Sequence, residues 1–297
     1  MTRTIPILMQ LPETARARRA WFVDIWGVMH DGVRPFTAAV SACRAFRKAG
    51  GCVVLVSNAP RPAGAVAAQL DRLGVASDCY DAIVTSGDIA RELVSAYAGK
   101  TVLHVGPERD RPLFDGLDVT ATSAWPSRSA DNPHDLAAIV CTGLTDDERE
   151  TAEDYRVRLA PMAELGVAMV CANPDLTVER GGRLIPCAGA VAAVYEGSGG
   201  PVTYAGKPYL PIYEAAQRRA EQLCGAALAK SAILAIGDGI RTDIDGAARF
   251  GIDSVFIASA VSMGDRAFGA EALADVFHSR HGPEHGQPIA AMAELRS

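Results

Sequence analysis

The amino-acid sequence predicts an α/β protein in which helices cover a parallel sheet. Short apolar runs alternate with segments of helical periodicity along the chain, and glycines follow several of the helical segments. Small polar or charged residues come directly after several of the apolar runs. The chain has 297 residues, of which 49% are hydrophobic, and this is enough for one large domain or two smaller ones.

The first part of the chain alternates predicted strands and helices in regular succession. Residues 20–23 are predicted to form a strand, and residues 37–48 a helix that ends before Gly50, because glycine favours helix termini. Further elements are predicted at residues 52–56 (strand), 64–73 (helix) and 82–84 (strand). This succession is typical of β-α-β units, which place their strands in parallel.

The middle of the chain differs in composition and suggests an insertion. Strands are predicted at residues 101–105, 137–141 and 167–171, with a charged helix at 146–159 and a surface loop at 117–135. Residues 202–205, 232–236 and 254–257 are then predicted as strands that continue the first sheet. We therefore expect a discontinuous core domain at residues 1–86 and 200–297, with an α/β domain inserted at 87–199.

Composition and charge exclude several classes of function. The balance of 29 basic and 35 acidic residues gives a net charge of −6, which argues against a nucleic-acid partner. No apolar stretch approaches the roughly 20 residues needed to span a membrane, and no secretory signal is evident. The seven cysteines include no CxxC pair, so we expect reduced thiols in a cytoplasmic protein and no zinc site.

Polar side chains follow the predicted strands at the points where these end. Because ligands bind outside the carboxyl ends of strands in open parallel sheets, we expect these side chains to converge at one edge. Carboxylates suit Mg²⁺, and a hydroxyl and an ammonium group can hold phosphate oxygens. The residues concerned are Asp24, Ser57, Asn58, Thr85, Ser86, Lys207, Asp238 and Asp243.

Four short motifs, in order along the chain, resemble those of the haloacid dehalogenase-like (HAD) phosphohydrolases. They are Asp24-Ile25-Trp26-Gly27-Val28, Val56-Ser57-Asn58, Gly206-Lys207-Pro208, and the pair Gly237-Asp238-Gly239 and Thr242-Asp243-Ile244. Two further motifs, Thr85-Ser86-Gly87 and Asn173-Pro174-Asp175, resemble the class IIA branch, which includes NagD-type and p-nitrophenylphosphatase-like enzymes. The resemblance implies a Rossmann-like core with helices on both faces of its sheet, plus an inserted α/β cap domain.

The resemblance also implies a role for each motif residue. Asp24 would be the nucleophile that forms an aspartyl-phosphate. The backbone carbonyl of Trp26 would hold Mg²⁺ together with Asp24, Asp238 and Asp243, the last either as a direct ligand or by orienting another group. Ser57, Asn58 and Lys207 would bind the phosphoryl group, with Ser57 and Lys207 also counted as catalytic. An alternative for Asp243 and Thr242 is that they only cap the helix that follows.

The expected function is therefore that of an Mg²⁺-dependent phosphatase, a phosphoric monoester hydrolase acting on a small phosphorylated metabolite. A homodimer is compatible with the resemblance, because similar proteins pair through their caps. Attack of the aspartate on a carbon centre, as in dehalogenation, is the less favoured chemistry, because Ser57, Lys207 and the metal-binding carboxylates are all present.

One departure from the family pattern concerns the proton donor. The family's phosphatases have a general acid–base aspartate two residues after the nucleophile, and here that residue is Trp26. An indole N–H can donate a hydrogen bond but has no proton that titrates in the useful range. His30 or Asp31 is an alternative donor, but a simple turn at Asp31-Gly32 is the favoured interpretation. A second functional hypothesis is therefore a catalytically weakened protein of this fold that binds phosphate or a metabolite.

Overall fold

The computed structural model describes residues 5–126, 136–180, 183–258, 263, 267–279 and 286–297. Its strands, numbered in chain order, are β1 (Ala20–Val23), β2 (Cys52–Ser57), β3 (Ala82–Thr85), β4 (Lys100–Val105), β5 (Val119–Thr122), β6 (Leu136–Cys141), β7 (Met169–Cys171), β8 (Thr177–Arg180), β9 (Arg183–Pro186), β10 (Val202–Tyr204), β11 (Ile233–Gly237), β12 (Asp253–Ile257) and β13 (Ala290–Met292). Its helices are α1 (Glu13–Arg16), α2 (Thr37–Lys48), α3 (Ala63–Arg72), α4 (Ser86–Ser95), α5 (Arg156–Glu164), α6 (Ala188–Gly197), α7 (Leu210–Cys224), α8 (Asp245–Phe250) and α9 (Ala270–Ser279). None of these helices is long and apolar enough to cross a lipid bilayer.

The chain forms two compact units. The first unit comprises Met1–Ser57, Gly64–Val84 and Lys207–Ser297, and the second comprises Asn58–Ala63 and Thr85–Gly206. The domain limits expected from the sequence, at 86/87 and 199/200, remain a prediction. Both units contain a parallel sheet with helices, so the predicted α/β class is confirmed.

The sheet of the first unit has the strand order β13-β12-β11-β1-β2-β3. β1 pairs in parallel with both β2 and β11, and β11 pairs in parallel with β12. β2 and β3 follow β1 on one side of the sheet, and β12 and β13 follow β11 on the other side. The direction in which successive strands are added therefore reverses between β1 and β11. Such a reversal opens a crevice at the carboxyl ends of the strands, where ligands bind in folds of this kind.

All four residues of β1 are buried, as expected for a central strand covered on both faces. The Trp21 ring stacks on Phe46 of α2 with centroids 3.8 Å apart, and its indole N–H donates to the Ala15 carbonyl. Helices therefore hold β1 firmly in place, and the residue that follows this strand has a well-defined position.

The second unit is built on a parallel sheet of its own, with the order β10-β7-β6-β4-β5. Its core contains Leu103 from β4, Ile139 from β6, Met169 from β7 and Tyr195 from α6, all fully buried. β8 and β9 form a separate antiparallel pair.

Two sequence predictions are wrong in this region. The run 202–205, predicted as a strand of the first sheet, forms β10, which pairs with β7 in the second sheet. A short apolar run shows that a strand forms but does not identify its partner. The strand β5 (Val119–Thr122) lies within the predicted loop 117–135, of which residues 127–135 fall outside the described part.

The predicted helix at 146–159 begins too early, because residues 146–151 are not helical and a 3₁₀ turn (Ala152–Tyr155) leads into α5. The side chain of Glu150 accepts a hydrogen bond from the Asp146 N–H, and the Asp146 side chain accepts one from the Glu148 N–H. Side chains that bind nearby backbone groups in this way compete with helix formation. Thr151 and Asp154 then form a capping box, and helical conformation begins at the next residue, Ala152.

Candidate active site

Asp24 follows directly after β1, at the point where the strand order reverses. Its N–H donates to the Ile236 carbonyl of β11 over 2.8 Å, and its Oδ1 accepts from the Ile25 N–H over 2.7 Å. The residue is only 9% exposed. The sheet therefore presents this carboxylate at the crevice predicted for a ligand.

Lys207 forms the centre of a buried charge cluster in the first unit. Its Nζ lies 2.6 Å from Asp24 Oδ1 and 2.8 Å from Asp243 Oδ1, and it donates to the Val56 carbonyl over 3.1 Å. Burial alone would lower the pKa of Lys207, but attraction by Asp24 and Asp243 raises it above its usual value. The ammonium group therefore stays charged at neutral pH.

The route by which Lys207 enters this cluster differs from the prediction. The sequence predicts Lys207 at the end of a strand of the same sheet as Asp24, but the strand before it, β10, belongs to the second unit. Lys207 instead precedes the long helix α7 of the first unit. Lys207, predicted to bind the phosphoryl group, is thus present in the cluster, but it enters it from the start of α7 and not from a strand of the same sheet.

Asp24, Asp238 and Asp243 can each direct one carboxylate oxygen toward a common point. These three oxygen atoms lie within 4.8 Å of one another. A Cβ atom on Gly27 would lie 2.2 Å from Asp238 Oδ2, so the glycine leaves the space that this carboxylate occupies. Oxygen-only ligands of this kind are those that Mg²⁺ prefers, and the residues present therefore fit a divalent cation.

Asp243 lies in a single π-helical turn, Ile240–Ile244, that follows β11. Its Oδ2 accepts a hydrogen bond from the Gly239 N–H over 3.1 Å, while its Oδ1 faces Lys207. Burial, together with repulsion from Asp24, raises the pKa of Asp243, and Lys207 partly offsets this rise. The side chain therefore binds the Gly239 N–H at the start of the turn and also faces Lys207. Metal binding by Asp243 remains a prediction.

Sequence reasoning missed Tyr213, on α7. Its hydroxyl donates to the backbone carbonyls of Asp243, over 3.1 Å, and of Thr242, over 3.3 Å. Burial, with the nearby Asp243 carboxylate, raises the pKa of Tyr213 well above its usual value, so the hydroxyl keeps its proton. A tyrosine at an apolar position of an amphipathic helix resembles an ordinary core residue, and no motif distinguishes it.

The other predicted phosphate ligands are Ser57 and Asn58. Ser57 ends β2 in the first unit and is 8% exposed, and the preceding residue, Val56, binds Lys207 through its carbonyl. Asn58 begins a segment of the second unit, where its Nδ2 donates to Asp175 Oδ1 over 2.9 Å. Phosphate binding by these two side chains remains a prediction.

Thr85, another of the polar residues at strand ends, has a clear structural role. Its hydroxyl accepts a hydrogen bond from the Asp88 N–H, and the Asp88 side chain accepts from the Thr85 N–H. The pair forms a capping box that starts α4. Ser86, the first residue of that helix, is fully buried.

Trp26 is held by its neighbours in the loop after Asp24. Its ring lies edge-on to the His30 ring, with centroids 5.1 Å apart, and a Cβ on Gly32 would lie 2.6 Å from the indole. Gly32 has a φ of +89°, which favours glycine, and it therefore lets the indole pack directly on the backbone.

His30 and Asp31 are both engaged within this loop. The Gly32 N–H donates to His30 Nδ1 over 2.9 Å, so the neutral ring carries its proton on Nε2, and burial lowers the pKa of His30. Asp31 Oδ1 accepts from the N–H groups of Val33 and Arg34, as in an Asx turn. These contacts favour the turn interpretation over a role as proton donor.

The fold and the charge cluster define an α/β protein with an acidic site and one buried lysine at the switch point of a parallel sheet. The family model described as haloacid dehalogenase-like hydrolase matches residues 21–120, and a HAD-hydrolase-like model matches residues 204–279. A haloacid dehalogenase-like hydrolase from Brucella suis is 41% identical, with 97% of this chain and 99% of that chain covered and a TM-score of 0.82. The chain belongs to the haloacid dehalogenase-like hydrolase family.

Two further similarities involve Mycobacterium tuberculosis. D-glycerol 3-phosphate phosphatase is 30% identical over 244 residues, which cover 81% of this chain and 63% of that protein. The present chain thus spans less than two thirds of this curated relative. A crystal structure of glycerol phosphate phosphatase in complex with magnesium is 24% identical, covers 88% of this chain and 78% of its own, and has a TM-score of 0.62. This last similarity concerns the fold alone.

Proposed function

We propose that the protein is an Mg²⁺-dependent phosphatase that releases inorganic phosphate from a small phosphorylated metabolite. The observation that carries the proposal is the buried cluster in which Lys207 Nζ lies 2.6 Å from Asp24 Oδ1, beside Asp238 and Asp243. In such a cluster Asp24 can act as the nucleophile, Lys207 supplies a positive charge, and the three carboxylates can bind a cation. Phosphoryl transfer depends mainly on positioning and on neutralising charge, which such groups supply.

Asp24 is the nucleophile in this proposal. Its carboxylate oxygen attacks the phosphorus atom, and the bond from phosphorus to the leaving oxygen breaks as the aspartyl-phosphate forms. Water then attacks the phosphorus, and the bond to the Asp24 oxygen breaks, which restores the carboxylate and releases phosphate. Lys207 and the Ser57 hydroxyl bind phosphoryl oxygens, and Asn58 is proposed as a further phosphate ligand.

The cation site consists of Asp24, Asp238, the Trp26 backbone carbonyl and Asp243. A bound Mg²⁺ supplies charge neutralisation to the phosphoryl oxygens. The set of three carboxylates supports this assignment. Lys207 holds the Asp24 side chain in place, because its ammonium group binds Asp24 Oδ1 directly.

The substrate is proposed only as a class. The curated relative is a D-glycerol 3-phosphate phosphatase, so small polyol phosphates belong in the panel of compounds to test. Aryl, acyl and enol phosphates belong there as well, because Trp26 replaces the usual proton donor and these leaving groups need protonation least. Cap residues within 87–199 would select among them, and a homodimer remains a prediction.

Replacement of the nucleophile tests the proposal. Asp24→Asn should abolish phosphate release in the presence of Mg²⁺, whereas Asp78→Asn, at an exposed aspartate paired with Arg44, should leave it unchanged. Incubation with acetyl phosphate followed by mass spectrometry should place a phosphoryl group on Asp24 of the native protein and none on the Asp24→Asn variant. Full phosphatase activity in the folded Asp24→Asn variant would overturn the proposal.

The presence of Trp26 favours a second candidate function, in which the protein binds a phosphorylated ligand but does not hydrolyse it. Its indole occupies the position of the family's acid–base aspartate and packs on His30 and Gly32. This candidate predicts thermal stabilisation by phosphorylated ligands with Mg²⁺ present, but no phosphate release and no phosphoryl group on Asp24. The acetyl phosphate experiment therefore separates the two candidates.

A further inference from the structure

Tyr213 connects the helix that follows Lys207 to the turn that carries Asp243. α7 begins three residues after Lys207, and the Tyr213 hydroxyl, on its first turns, donates to the Asp243 carbonyl over 3.1 Å. The Thr242 carbonyl shares the same proton at 3.3 Å. α7 is thus linked to both partners of this ion pair, to Lys207 through the chain and to Asp243 through the Tyr213 hydroxyl.

The Tyr213 ring is held on two sides, so its hydroxyl has a defined position. The ring stacks on Phe250 with centroids 5.4 Å apart, and it is only 1% exposed. A Cβ on Gly246 would lie 2.5 Å from the hydroxyl oxygen, which means that α8 approaches the tyrosine closely because this residue is glycine.

The backbone at Asp243 has an unusual conformation. It lies in a single π-helical turn, a rare conformation that is frequent at functional sites. Its carboxylate must at the same time face Lys207 with Oδ1 and the Gly239 N–H with Oδ2. A shift of the Asp243 backbone would move both oxygens together, and it would change the distance to the other two carboxylates of the cluster.

We propose that Tyr213 is a positioning residue for the divalent-cation site, because its hydroxyl fixes the backbone of Asp243. The inference rests on the proposed function to the extent that Asp24, Asp238 and Asp243 bind a cation. Partners that orient metal ligands typically change metal affinity by 10–100-fold when removed. Since Tyr213 acts on the ligand through its backbone, we expect an effect near the lower end of this range.

Tyr213→Phe removes the hydroxyl and keeps the ring, and Tyr195→Phe is its matched control. Tyr195 is also fully buried and donates its hydroxyl to a backbone carbonyl, that of Val167, but it lies in the second unit. Mg²⁺ binding is measured by titration calorimetry on the full chain without substrate, with Mn²⁺ as a second probe. Both variants should lose some thermal stability, but only Tyr213→Phe should weaken Mg²⁺ binding, by about tenfold.

Gly246→Ala provides an independent test and covers the case in which Tyr213→Phe does not fold. The added methyl group displaces the tyrosine hydroxyl while alanine favours the helix, so Mg²⁺ affinity should fall without a loss of helix propensity. Affinities within twofold of the native protein in whichever of these variants fold would overturn the inference.

The outcome for the native protein separates this inference from the proposed function. Native protein that binds Mg²⁺ but releases no phosphate would overturn the phosphatase proposal and leave the role of Tyr213 to be decided by the variants. Native protein that binds neither Mg²⁺ nor Mn²⁺ would overturn the cation site, and the inference with it.

Discussion

Lys207 and Asp24 form a buried ion pair in which Nζ lies 2.6 Å from Oδ1, and the two side chains are 3% and 11% exposed. Burying one charge in a protein is costly, and the pair is stable because each partner compensates the other. Asp238 and Asp243 add two further carboxylates to the same site, so that carboxylates outnumber ammonium groups in this cluster. The excess of negative charge is what a divalent cation would balance.

The first prediction concerns removal of the lysine. Lys207→Met leaves Asp24 and Asp243 facing each other without a counter-ion, so the free energy of unfolding should fall by about 3–5 kcal/mol at neutral pH. Phosphate release should be lost as well, because no ammonium group binds the phosphoryl oxygens. Chemical denaturation in a chelating buffer measures the first effect and a phosphate-release assay the second.

The control for this prediction is Lys48→Met, at an exposed lysine in the last turn of α2. Surface substitutions of this kind usually change stability by no more than about 0.5 kcal/mol. Equal stability of the two variants would show that Lys207 does not compensate the buried carboxylates.

Part of this site was predictable from sequence because of where polar residues follow apolar runs. Asp24 and Asp238 come directly after strands that are buried on both faces, so the pattern locates them at one edge of one sheet. The same pattern places Lys207 in the site through the wrong strand, because a three-residue strand such as β10 does not reveal which sheet it joins. Tyr213 could not be found at all, since its contribution depends on backbone carbonyls that are brought near it only by folding.

The second prediction compares two glycines that have similar positive φ angles, at which any other residue would be strained. Gly27 and Gly50 have φ angles of +80° and +91°, so alanine at either position should cost about 1–2 kcal/mol of stability. Only at Gly27 would the new Cβ meet a side chain, at 2.2 Å from Asp238 Oδ2, whereas no atom lies within 4 Å of a Cβ on Gly50. Gly27→Ala should therefore weaken Mg²⁺ binding strongly, and Gly50→Ala should not.

Calorimetric titration of both variants with Mg²⁺ checks this result, after their folding is confirmed by circular dichroism. Comparable Mg²⁺ affinities in Gly27→Ala and Gly50→Ala would show that Asp238 does not need its present position to bind the cation. The comparison removes the contribution of backbone strain, because both variants share it.

The third prediction concerns the pH dependence of stability through His104 in the second unit. Burial, with a smaller effect of Arg111, lowers the pKa of His104 from 6.5 to about 4. Between these two values the unfolded chain binds the proton and the folded chain does not. The stability contributed by the neutral imidazole is thus complete above pH 6.5 and falls as the pH decreases toward 4, by about 3 kcal/mol in all.

His104→Gln should flatten this dependence, because glutamine does not titrate and can still bond to Thr142, whose Oγ1 lies 2.9 Å from His104 Nε2. The free energy of unfolding is measured at pH 7 and pH 4.5 for both proteins. The variant should be less stable than the native protein at pH 7, and the difference should shrink at pH 4.5. Parallel pH profiles of the two proteins would contradict the lowered pKa of His104.

The fourth prediction concerns the leaving group, and it depends on Trp26. A general acid matters most for poor leaving groups and contributes about 10²–10⁴-fold, and an indole cannot serve as one. The native protein should therefore hydrolyse p-nitrophenyl phosphate or acetyl phosphate readily, and glycerol phosphate or sugar phosphates slowly. Comparison of kcat/KM over such a panel, with Mg²⁺ present, measures the preference.

Trp26→Asp restores a carboxyl group at this position and should raise turnover of alkyl phosphates more than that of aryl phosphates. The replacement also removes the ring that packs on Gly32 and His30, and a void of this kind costs stability, so folding is verified before rates are compared. Trp26→Phe is the matched control, because it keeps an aromatic ring on Gly32 and supplies no acid, and it should leave the preference unchanged. If the native protein already turns over alkyl phosphates rapidly and Trp26→Asp alters neither class, then the proton comes from another group and Trp26 does not set the leaving-group preference.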